Sequence, residues 1–323
     1  MRRYCRRHRI ESIPFKKRFF NRWLLGWKLF WLCRKRKFDI LHVHDQIALS
    51  AAIFAWRLGM RTPVVASRWR SKPAGVPWLL RRKLNHPAIK AIICPSGNIH
   101  RELAAFLRDP EKLQVVRAGI DPEKFAPGKT EGRLRREYFV GADYTLVGNT
   151  AALAGHKDYP TFLKTAKSLL SKNSKMFFLA IGDGPDRAQV EKLIMQMELS
   201  QHVKITGSRT DMHEVIPQLD LLLYTPAADD LGVAGLEAFA AGVPVVATSA
   251  GCMPELIDHE KTGMLAPVGD AQKLTESVFK VISNDDLRQE IIKAAHEKVP
   301  NYTRQKLAEK MLEIYSNVFS KKE

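Results

Sequence analysis

Short apolar runs alternate with longer amphipathic stretches through most of the chain. Runs of strand length are rich in Val, Ile and Leu, and the stretches between them repeat their apolar residues every three or four positions. This alternation indicates parallel strands joined by helical crossovers. In the first half we predict strands at 39–44, 63–67, 88–94 and 113–116, and helices at 47–59 and 99–107.

The same alternation resumes after a polar stretch at 128–137, which we interpret as an interdomain linker. Asp158 precedes a helical pattern that it can cap, and Pro160 suits the first turn of that helix. The remaining predicted elements are strands at 145–153, 176–185 and 221–224, two helices within 271–299 and a last helix at 303–319.

The length and composition are those of a globular protein with two cores. The chain has 323 residues, of which 45% are hydrophobic and 27% charged. We therefore predict an α/β fold with two Rossmann-like parallel-sheet domains. The predicted division is a first domain at 1–135, a second at 136–300 and a C-terminal helix at 301–323.

The net charge of +18 is concentrated at the start of the chain. Residues 1–37 hold 14 Lys and Arg against one acid, Glu11, which gives +13 and leaves +5 for the remainder. Within residues 15–38 aromatic side chains recur every three or four positions among the cations, a pattern typical of an amphipathic helix. Such a helix suits an anionic membrane surface, and its apolar runs are too short to span a bilayer.

Other interpretations of residues 15–38 stay open. The helix can pack on its own sheet while its cations are solvated. The charge can also bind nucleic acid, but no nucleic-acid-binding motif accompanies it, so we predict no nucleic-acid partner. No clean apolar segment follows the basic residues 1–9, and we therefore predict no signal peptide. The four cysteines are scattered without metal-ligand spacing and indicate reduced thiols.

Residues 224–244 carry the strongest chemical signal. An apolar strand ends at Tyr224, a turn of small residues follows, and a helix begins at about residue 232. The free N–H groups at a helix start bind phosphate, and small side chains let a ligand approach them. Asp229 before this helix and Glu237 inside it can accept hydrogen bonds from hydroxyl groups. The stretch therefore predicts a site for a diphosphate joined to a sugar.

This stretch resembles the donor-site signature of the family 4 glycosyltransferases (glycosyltransferases group 1). That signature has two glutamates separated by seven residues, an Ala/Gly-rich helix, a Pro-Val-Val strand and a Gly-rich loop with a glutamate. Here it reads DDLGVAGLEAFAAGVPVVATSAGCMPELI, followed by EKTGMLAPVGD. Asp229 stands where the family has its first glutamate, so the carboxylate is kept but is shorter by one methylene.

The resemblance covers roughly residues 38–320 and includes DILHVHD, CPSGNIHREL and VVRAGIDPEKF. It implies the GT-B fold, with the donor in the second domain, the acceptor across a cleft and a C-terminal helix that returns to the first domain. The family begins with a strand, a Gly-Gly loop and a helix that have no counterpart in this sequence. We therefore expect an incomplete first domain and a true start upstream.

The resemblance also implies roles for single residues. Lys157 occupies the place of a lysine that clamps the donor diphosphate and stabilises the charge on the leaving group. The family's arginine about six residues earlier is replaced by Ala151 and Ala152, and Arg68 or Arg70 is a candidate for the second cation. Glu237 is implied to bind the ribose hydroxyls and Asp229 the donor sugar.

A glycine-rich turn at 182–184 ends a strand, at the sheet edge where open α/β sheets bind ligands. With residues 207–209 it resembles the family's nucleobase pocket, and the loop with Cys252 and Met253 is implied to contact the donor through backbone amides. The predicted donor-binding residues are Gly182, Asp183, Gly184, Gly207, Ser208, Arg209, Gly232, Val233, Ala234 and Glu237.

His44 and Asp45 end a first-domain strand in the region that faces the acceptor in the family. A lone histidine is more often structural than catalytic, and the ten histidines form no metal-ligand pattern. The predicted catalytic residues are Asp229, Lys157 and His44, and the predicted acceptor-side residues are Asp45, Arg68 and Arg70. The resemblance implies no metal and no cofactor, the nucleotide-sugar being a substrate.

The function implied is that of a retaining, metal-independent hexosyltransferase that uses a nucleotide-sugar donor and a saccharide or lipid-linked acceptor. Its leaving diphosphate would assist deprotonation of the acceptor hydroxyl. The expected setting is cell-envelope polysaccharide or lipopolysaccharide synthesis, in the cytoplasm on the inner face of the membrane.

Two alternatives stay open from the sequence. One is another enzyme on the same fold, a sugar-nucleotide epimerase or a phosphorylase, although we identify no lysine for a pyridoxal cofactor. The other is a catalytically degenerate, membrane-associated protein that binds a nucleotide-sugar without turning it over.

Overall fold

The computed structural model describes residues 5, 7–13, 22–68, 77–126, 132–229 and 231–320. The first domain contains a parallel sheet in the order β1-β2-β3-β4. Its strands are β1 Leu41–Val43, β2 Val64–Ser67, β3 Ile89–Cys94 and β4 Leu113–Val115, and its helices are α1 Arg22–Arg36, α2 Gln46–Arg57, α3 Trp78–Leu84 and α4 Gly97–Ala104. Five of the six β3 residues are buried, as in a strand covered on both faces.

The second domain contains a parallel sheet in the order β10-β9-β8-β5-β6-β7. Its strands are β5 Thr145–Thr150, β6 Met176–Ile181, β7 Val203–Gly207, β8 Leu221–Tyr224, β9 Val245–Thr248 and β10 Met264–Ala266. The helices that follow the first domain are α5 Arg133–Glu137, α6 Tyr159–Leu170, α7 Arg187–Gln196, α8 Met212–Val215, α9 Val233–Ala240, α10 Met253–Leu256, α11 Ala271–Ser283, α12 Asp285–Lys298 and α13 Arg304–Ser320. The α/β fold with two Rossmann-like parallel-sheet domains is confirmed.

Helix α13 crosses back to the first domain, as predicted. Ile314 and Val318 are buried against residues of β2 and β3. The hydroxyl of Tyr315 lies 2.6 Å from Nδ1 of His42, on β1. This helix therefore ties the end of the chain to the first sheet.

The polar stretch at 128–137 is not a simple linker. Residues 127–131 lie outside the described part of the chain, but α5 occupies its second half. Leu134 of this helix is buried in the core of the second domain, together with Ile120 and Phe125. The burial of this one apolar side chain attaches the segment to the second domain, whereas its overall polar composition predicted an interdomain linker.

Helix α1 lies within the amphipathic segment predicted at 15–38, of which residues 15–21 are not described. One face packs on α2, and a Cβ atom at Gly26 would come within 2.6 Å of the Phe54 side chain. Away from that contact, Trp27 and Trp31 are about half-exposed, and so is Trp23, whose ring also meets that of Phe54 at 4.7 Å. Packing on the domain and an exposed aromatic face therefore occur on the same helix. Within the described ranges, every helix falls short of the length and apolarity that crossing a membrane requires.

Candidate functional site

The predicted site lies at the point in the second sheet where the order of successive strands reverses. β5 pairs with β6 on one side and with β8 on the other, so the connections that follow β5 and β8 diverge. Open α/β sheets bind ligands in the crevice at the carboxyl ends of such strands. Lys157 follows β5 and Asp229 follows β8, and the sheet order brings them together.

Lys157, Tyr224 and Asp229 form one hydrogen-bonded cluster. Nζ of Lys157 donates to the Tyr224 hydroxyl at 2.7 Å and to Oδ1 of Asp229 at 3.2 Å. The Tyr224 hydroxyl donates to Oδ2 of Asp229 at 3.1 Å. Burial, and next the charge of Asp229, raise the pKa of Tyr224 well above its ordinary value, so this phenol stays protonated. The cluster thus holds a cation and a carboxylate, each largely shielded from water, at the mouth of the crevice.

Backbone contacts between two loops position Lys157. The carbonyl of His156 accepts hydrogen bonds from the N–H groups of Ala227 and Ala228, at 2.9 and 3.2 Å. On the other side, Asp158 caps α6 by accepting from the Thr161 N–H at 3.2 Å. The predicted cap is therefore confirmed, and it sets the point at which the Lys157 loop ends.

Asp229 is held by the loop that follows β9. Its carbonyl accepts from the Cys252 N–H at 2.8 Å, and its Oδ2 accepts from the Gly232 N–H at 3.1 Å. Gly232 has φ +62°, a conformation that favours glycine, and α9 begins immediately after it. The carboxylate therefore lies directly at the helix start that the sequence predicts.

A cavity of about 340 Å³ adjoins this cluster. It is lined by Lys157, Asp229, Glu237 and the start of α9 with Val233 and Ala234. Ala151 and Ala152 also line it, so that Lys157 is the one cation among the described residues of its lining. Burial raises the pKa of Glu237 to about 7, while the charge of Arg304 acts in the opposite direction.

The raised pKa of Glu237 predicts a pH dependence of stability. An acid whose folded pKa exceeds its unfolded pKa costs nothing below about pH 4.5 and destabilises the folded state increasingly up to about pH 7. Because Glu237 is half-buried, water screens part of this cost. Between pH 5 and pH 8 we expect the free energy of unfolding of the wild type to fall by about 1–2 kcal/mol more than that of Glu237→Gln. Urea unfolding of both proteins at the two pH values measures this difference. Equal losses of stability in the two proteins would contradict the prediction.

The other predicted donor-binding residues lie outside that cavity lining. Close packing against another loop requires glycine at both 182 and 184. A Cβ atom at Gly182 would lie 2.0 Å from the carbonyl oxygen of Ala151, and one at Gly184 would lie 2.2 Å from that of Leu153. Asp183 accepts from the Gly184 N–H at 2.8 Å and pairs with Arg187.

Arg209 is held by two carboxylates. Its guanidinium pairs with Glu137 at 2.5 Å and with Asp211 at 2.7 Å, and 12% of its side chain is exposed. Glu137 and Asp211 thus occupy the guanidinium N–H groups that Arg209 would need in order to bind a nucleotide. Contacts of Gly207, Ser208 and Arg209 with a nucleobase therefore stay predictions.

Two of the three predicted acceptor-side residues, Asp45 and Arg68, come together in the first domain with His44, which was predicted to be catalytic. His44, Asp45 and Arg68 line a cavity of about 270 Å³ at the carboxyl ends of β1 and β2. Arg70 lies outside the described residues. Asp45 also caps α2, because its Oδ1 accepts from the N–H groups of Ile47 and Ala48 at 2.8 and 2.7 Å. Burial lowers the pKa of His44, which keeps it neutral near pH 7.

Glu255 was not predicted to be functional. It lies on α10 of the second domain and accepts from the N–H groups of Gly97 and Asn98, at 2.9 and 2.8 Å, at the start of α4 in the first. It also pairs with Arg117 at 3.2 Å. The residue thus joins the second domain to the first. Tyr224 was also missed as a site residue, although its place at the end of β8 was visible in the sequence.

No group of three or more potential metal ligands occurs within the described ranges of the chain. That the reaction needs no metal and no cofactor stays a prediction.

Comparison with known proteins gives two family matches. Residues 132–298 match the family model "Glycosyl transferases group 1", and residues 2–124 match "Glycosyltransferase Family 4". The first covers more than half of the chain.

Individual relatives are distant. The chain is 23% identical to N-acetyl-alpha-D-glucosaminyl L-malate synthase of Bacillus anthracis, over 91% of this chain and 78% of that protein. It is 30% identical to a putative colanic acid biosynthesis glycosyltransferase of Escherichia coli, over 58% of this chain and 47% of that protein. It therefore spans about half the length of the second relative.

Among solved structures, the fold is similar to the crystal structure of Anabaena Alr3699/HepE in complex with UDP. The TM-score is 0.87 at 21% identity, over 98% of this chain and 89% of that one. A further complex of the same Anabaena protein, with UDP-glucose, matches with a TM-score of 0.83. At this identity the likeness establishes the GT-B fold.

Proposed function

The chain belongs to the glycosyl transferases group 1 family and is a glycosyltransferase, and on that premise we propose a retaining reaction with a nucleotide-sugar donor. The acceptor in this proposal is a saccharide or a lipid-linked saccharide of a cell-envelope polysaccharide. The single observation that carries it is the Lys157–Tyr224–Asp229 cluster at the helix start beside Glu237. Relatives named for colanic acid and amylovoran synthesis support the setting.

Each group of the cluster has a role in this proposal. Lys157 exchanges its contact with Asp229 for the donor diphosphate, whose charge grows as the bond to the sugar breaks. Asp229, thereby released, accepts from hydroxyls of the donor sugar, and Glu237 accepts from the ribose hydroxyls. The C1–O bond to the diphosphate breaks, the acceptor oxygen bonds to C1 on the same face, and its proton passes to a diphosphate oxygen.

A transfer assay tests the reaction. We expect nucleoside diphosphate release from one of UDP-, GDP- or ADP-sugars in the presence of a pooled extract of envelope glycolipids. Asp229→Asn should reduce that rate by about 100-fold, while Asp143→Asn, a change to an exposed carboxylate elsewhere, should not. Donor binding without turnover in the wild type would instead favour the degenerate binding protein. No finding supports an epimerase.

We further propose that the exposed face of α1 contacts an anionic membrane on the cytoplasmic side. Its support is the exposure of Trp23, Trp27 and Trp31 on a helix with no acidic residue and three cations in its last turn.

Cosedimentation with vesicles of phosphatidylcholine and phosphatidylglycerol tests this contact. The double variant Trp27→Ala/Trp31→Ala should bind about tenfold more weakly than the wild type, because two half-exposed indoles leave the interface. Leu312→Ala/Phe319→Ala removes two similarly exposed apolar side chains from α13 and serves as the control. Equal losses in both variants would exclude α1 as the contact.

A further inference from the structure

A third cavity, of about 360 Å³, opens on the first domain between α1, α2 and α3. Its apolar wall is formed by Trp23, Ile53, Phe54 and Leu79. Ile53 is buried, whereas Trp23 and Leu79 are about half-exposed at its edge. The ring of Trp23 meets that of Phe54 edge-on at 4.7 Å. None of the described residues predicted to bind the donor or acceptor lines this cavity.

Cations line the other part of the same cavity. Arg57 and Arg82 are exposed, and neither forms an ion pair with a described residue. Nζ of Lys83 donates to Oγ of Ser50 at 2.7 Å, which joins α3 to α2. The described helices α1, α2 and α3 contain no Asp or Glu, so no acid on them competes for these cations. Arginine guanidinium groups bind phosphate in pairs of parallel hydrogen bonds.

The cavity is continuous with the aromatic face of α1. Trp23 contributes to both, and Trp78, which precedes the lining residue Leu79 in α3, is 70% exposed. An occupant that reaches the cavity from this face must therefore carry an apolar segment and a negative charge a short distance apart. That combination is the chemistry of an anionic phospholipid.

We propose that this cavity binds one anionic phospholipid molecule from the bilayer. An acyl chain lies along Ile53, Phe54 and Leu79, and the phosphate is bound by Arg57 and Arg82. The proposal rests on the membrane contact proposed above only for the source of the lipid. Binding of the monomeric lipid is independent of vesicles and of sugar transfer.

Titration with dihexanoylphosphatidylglycerol below its micelle concentration tests the site on the full chain, with calorimetry as the readout. We expect saturable binding of one molecule. Arg57→Gln/Arg82→Gln should weaken it at least about tenfold, because two charge-assisted contacts are lost. Lys90→Gln/Arg101→Gln removes the same charge from exposed positions outside the cavity lining and should leave binding unchanged.

Two further ligands and one further variant separate the contributions of the phosphate, the net negative charge and the acyl chain to binding. Glycerol 3-phosphate carries the phosphate without chains and should bind at least tenfold more weakly, as should dihexanoylphosphatidylcholine, whose head group has no net charge. Leu79→Ser should weaken binding a few-fold through the apolar wall. Equal binding of glycerol 3-phosphate, equal binding of the choline lipid, equal losses in the two glutamine variants, or no saturation would each overturn the proposal.

Discussion

Replacing Lys157 with alanine should lower kcat by about 10²–10³-fold, the cost of removing one group that stabilises developing charge. The side chain is 13% exposed, and it is the one cation that the described lining of the donor cavity supplies. Because leaving-group charge grows in the transition state, the loss should fall on kcat more than on KM. Steady-state kinetics with the active nucleotide-sugar measures both constants.

Lys164→Ala is the matched control for this variant, since Lys164 is an exposed lysine on α6. It should retain wild-type kcat and KM. An unchanged kcat with a raised KM in Lys157→Ala would mean that the lysine binds the donor equally in the ground and transition states. The proposed role on the leaving group would then be wrong.

Replacing Gly251 with alanine should destabilise the protein by about 2–4 kcal/mol and abolish donor binding. Gly251 has φ +54°, and its Cβ would lie 1.8 Å from the carbonyl oxygen of Asp229. The clash is with backbone, so a rotamer change cannot relieve it. The Asp229 peptide has to move, and its carboxylate moves away from Lys157 and Gly232 with it.

Gly269→Ala separates the clash from the cost of the backbone conformation. Gly269 has φ +79°, but a Cβ there would meet nothing within 4 Å. We expect a loss of about 1 kcal/mol for this variant, with donor binding intact. Chemical unfolding and nucleotide titration of both proteins provide the comparison. Equal destabilisation with donor binding retained in both would show that the contact between Gly251 and Asp229 does not position the site.

The fold could be predicted from the sequence because its signals are local. Strands covered on both faces appear as short apolar runs, and helices appear through their three- and four-residue spacing. Asp158 was predicted as a cap for the same reason, since its partner, Thr161, is three residues away. Helix α13 has a clear apolar pattern, although its return to the first sheet came from the family resemblance.

The contacts within the site could not be predicted, because sheet order sets them. Lys157 and Tyr224 are 67 residues apart and meet only because β5 pairs with β8. Apolar runs do not specify which strands are neighbours. Glu137, which holds Arg209 from 72 residues away, and Glu255, which contacts α4 of the other domain, are likewise distant in sequence from their partners.

The role of a carboxylate that precedes a helix is a second feature that the sequence does not determine. Asp45 and Asp229 both precede a helix, and the sequence does not distinguish a cap from a ligand-binding group. In the structure Asp45 accepts from two N–H groups of α2. Asp229 accepts from one N–H group, from Lys157 and from Tyr224. The difference lies in the two side chains that reach Asp229, Tyr224 from the end of its own strand and Lys157 from the loop after the neighbouring β5.

The central claim is that a nucleotide-sugar binds at the Lys157–Asp229–Glu237 site, and a thermal-shift panel tests it most directly. UDP, GDP, ADP and their sugar conjugates are compared on the wild type, on Glu237→Ala and on Glu290→Ala, a change to an exposed glutamate of α12. At about 100 times its Kd, a ligand specific for the folded state adds about 2.7 kcal/mol of stability. We predict stabilisation by the nucleotides of one base, retained in Glu290→Ala and lost in Glu237→Ala. A cooperatively melting wild type that no nucleotide stabilises, or an equal shift in Glu237→Ala, would contradict the claim.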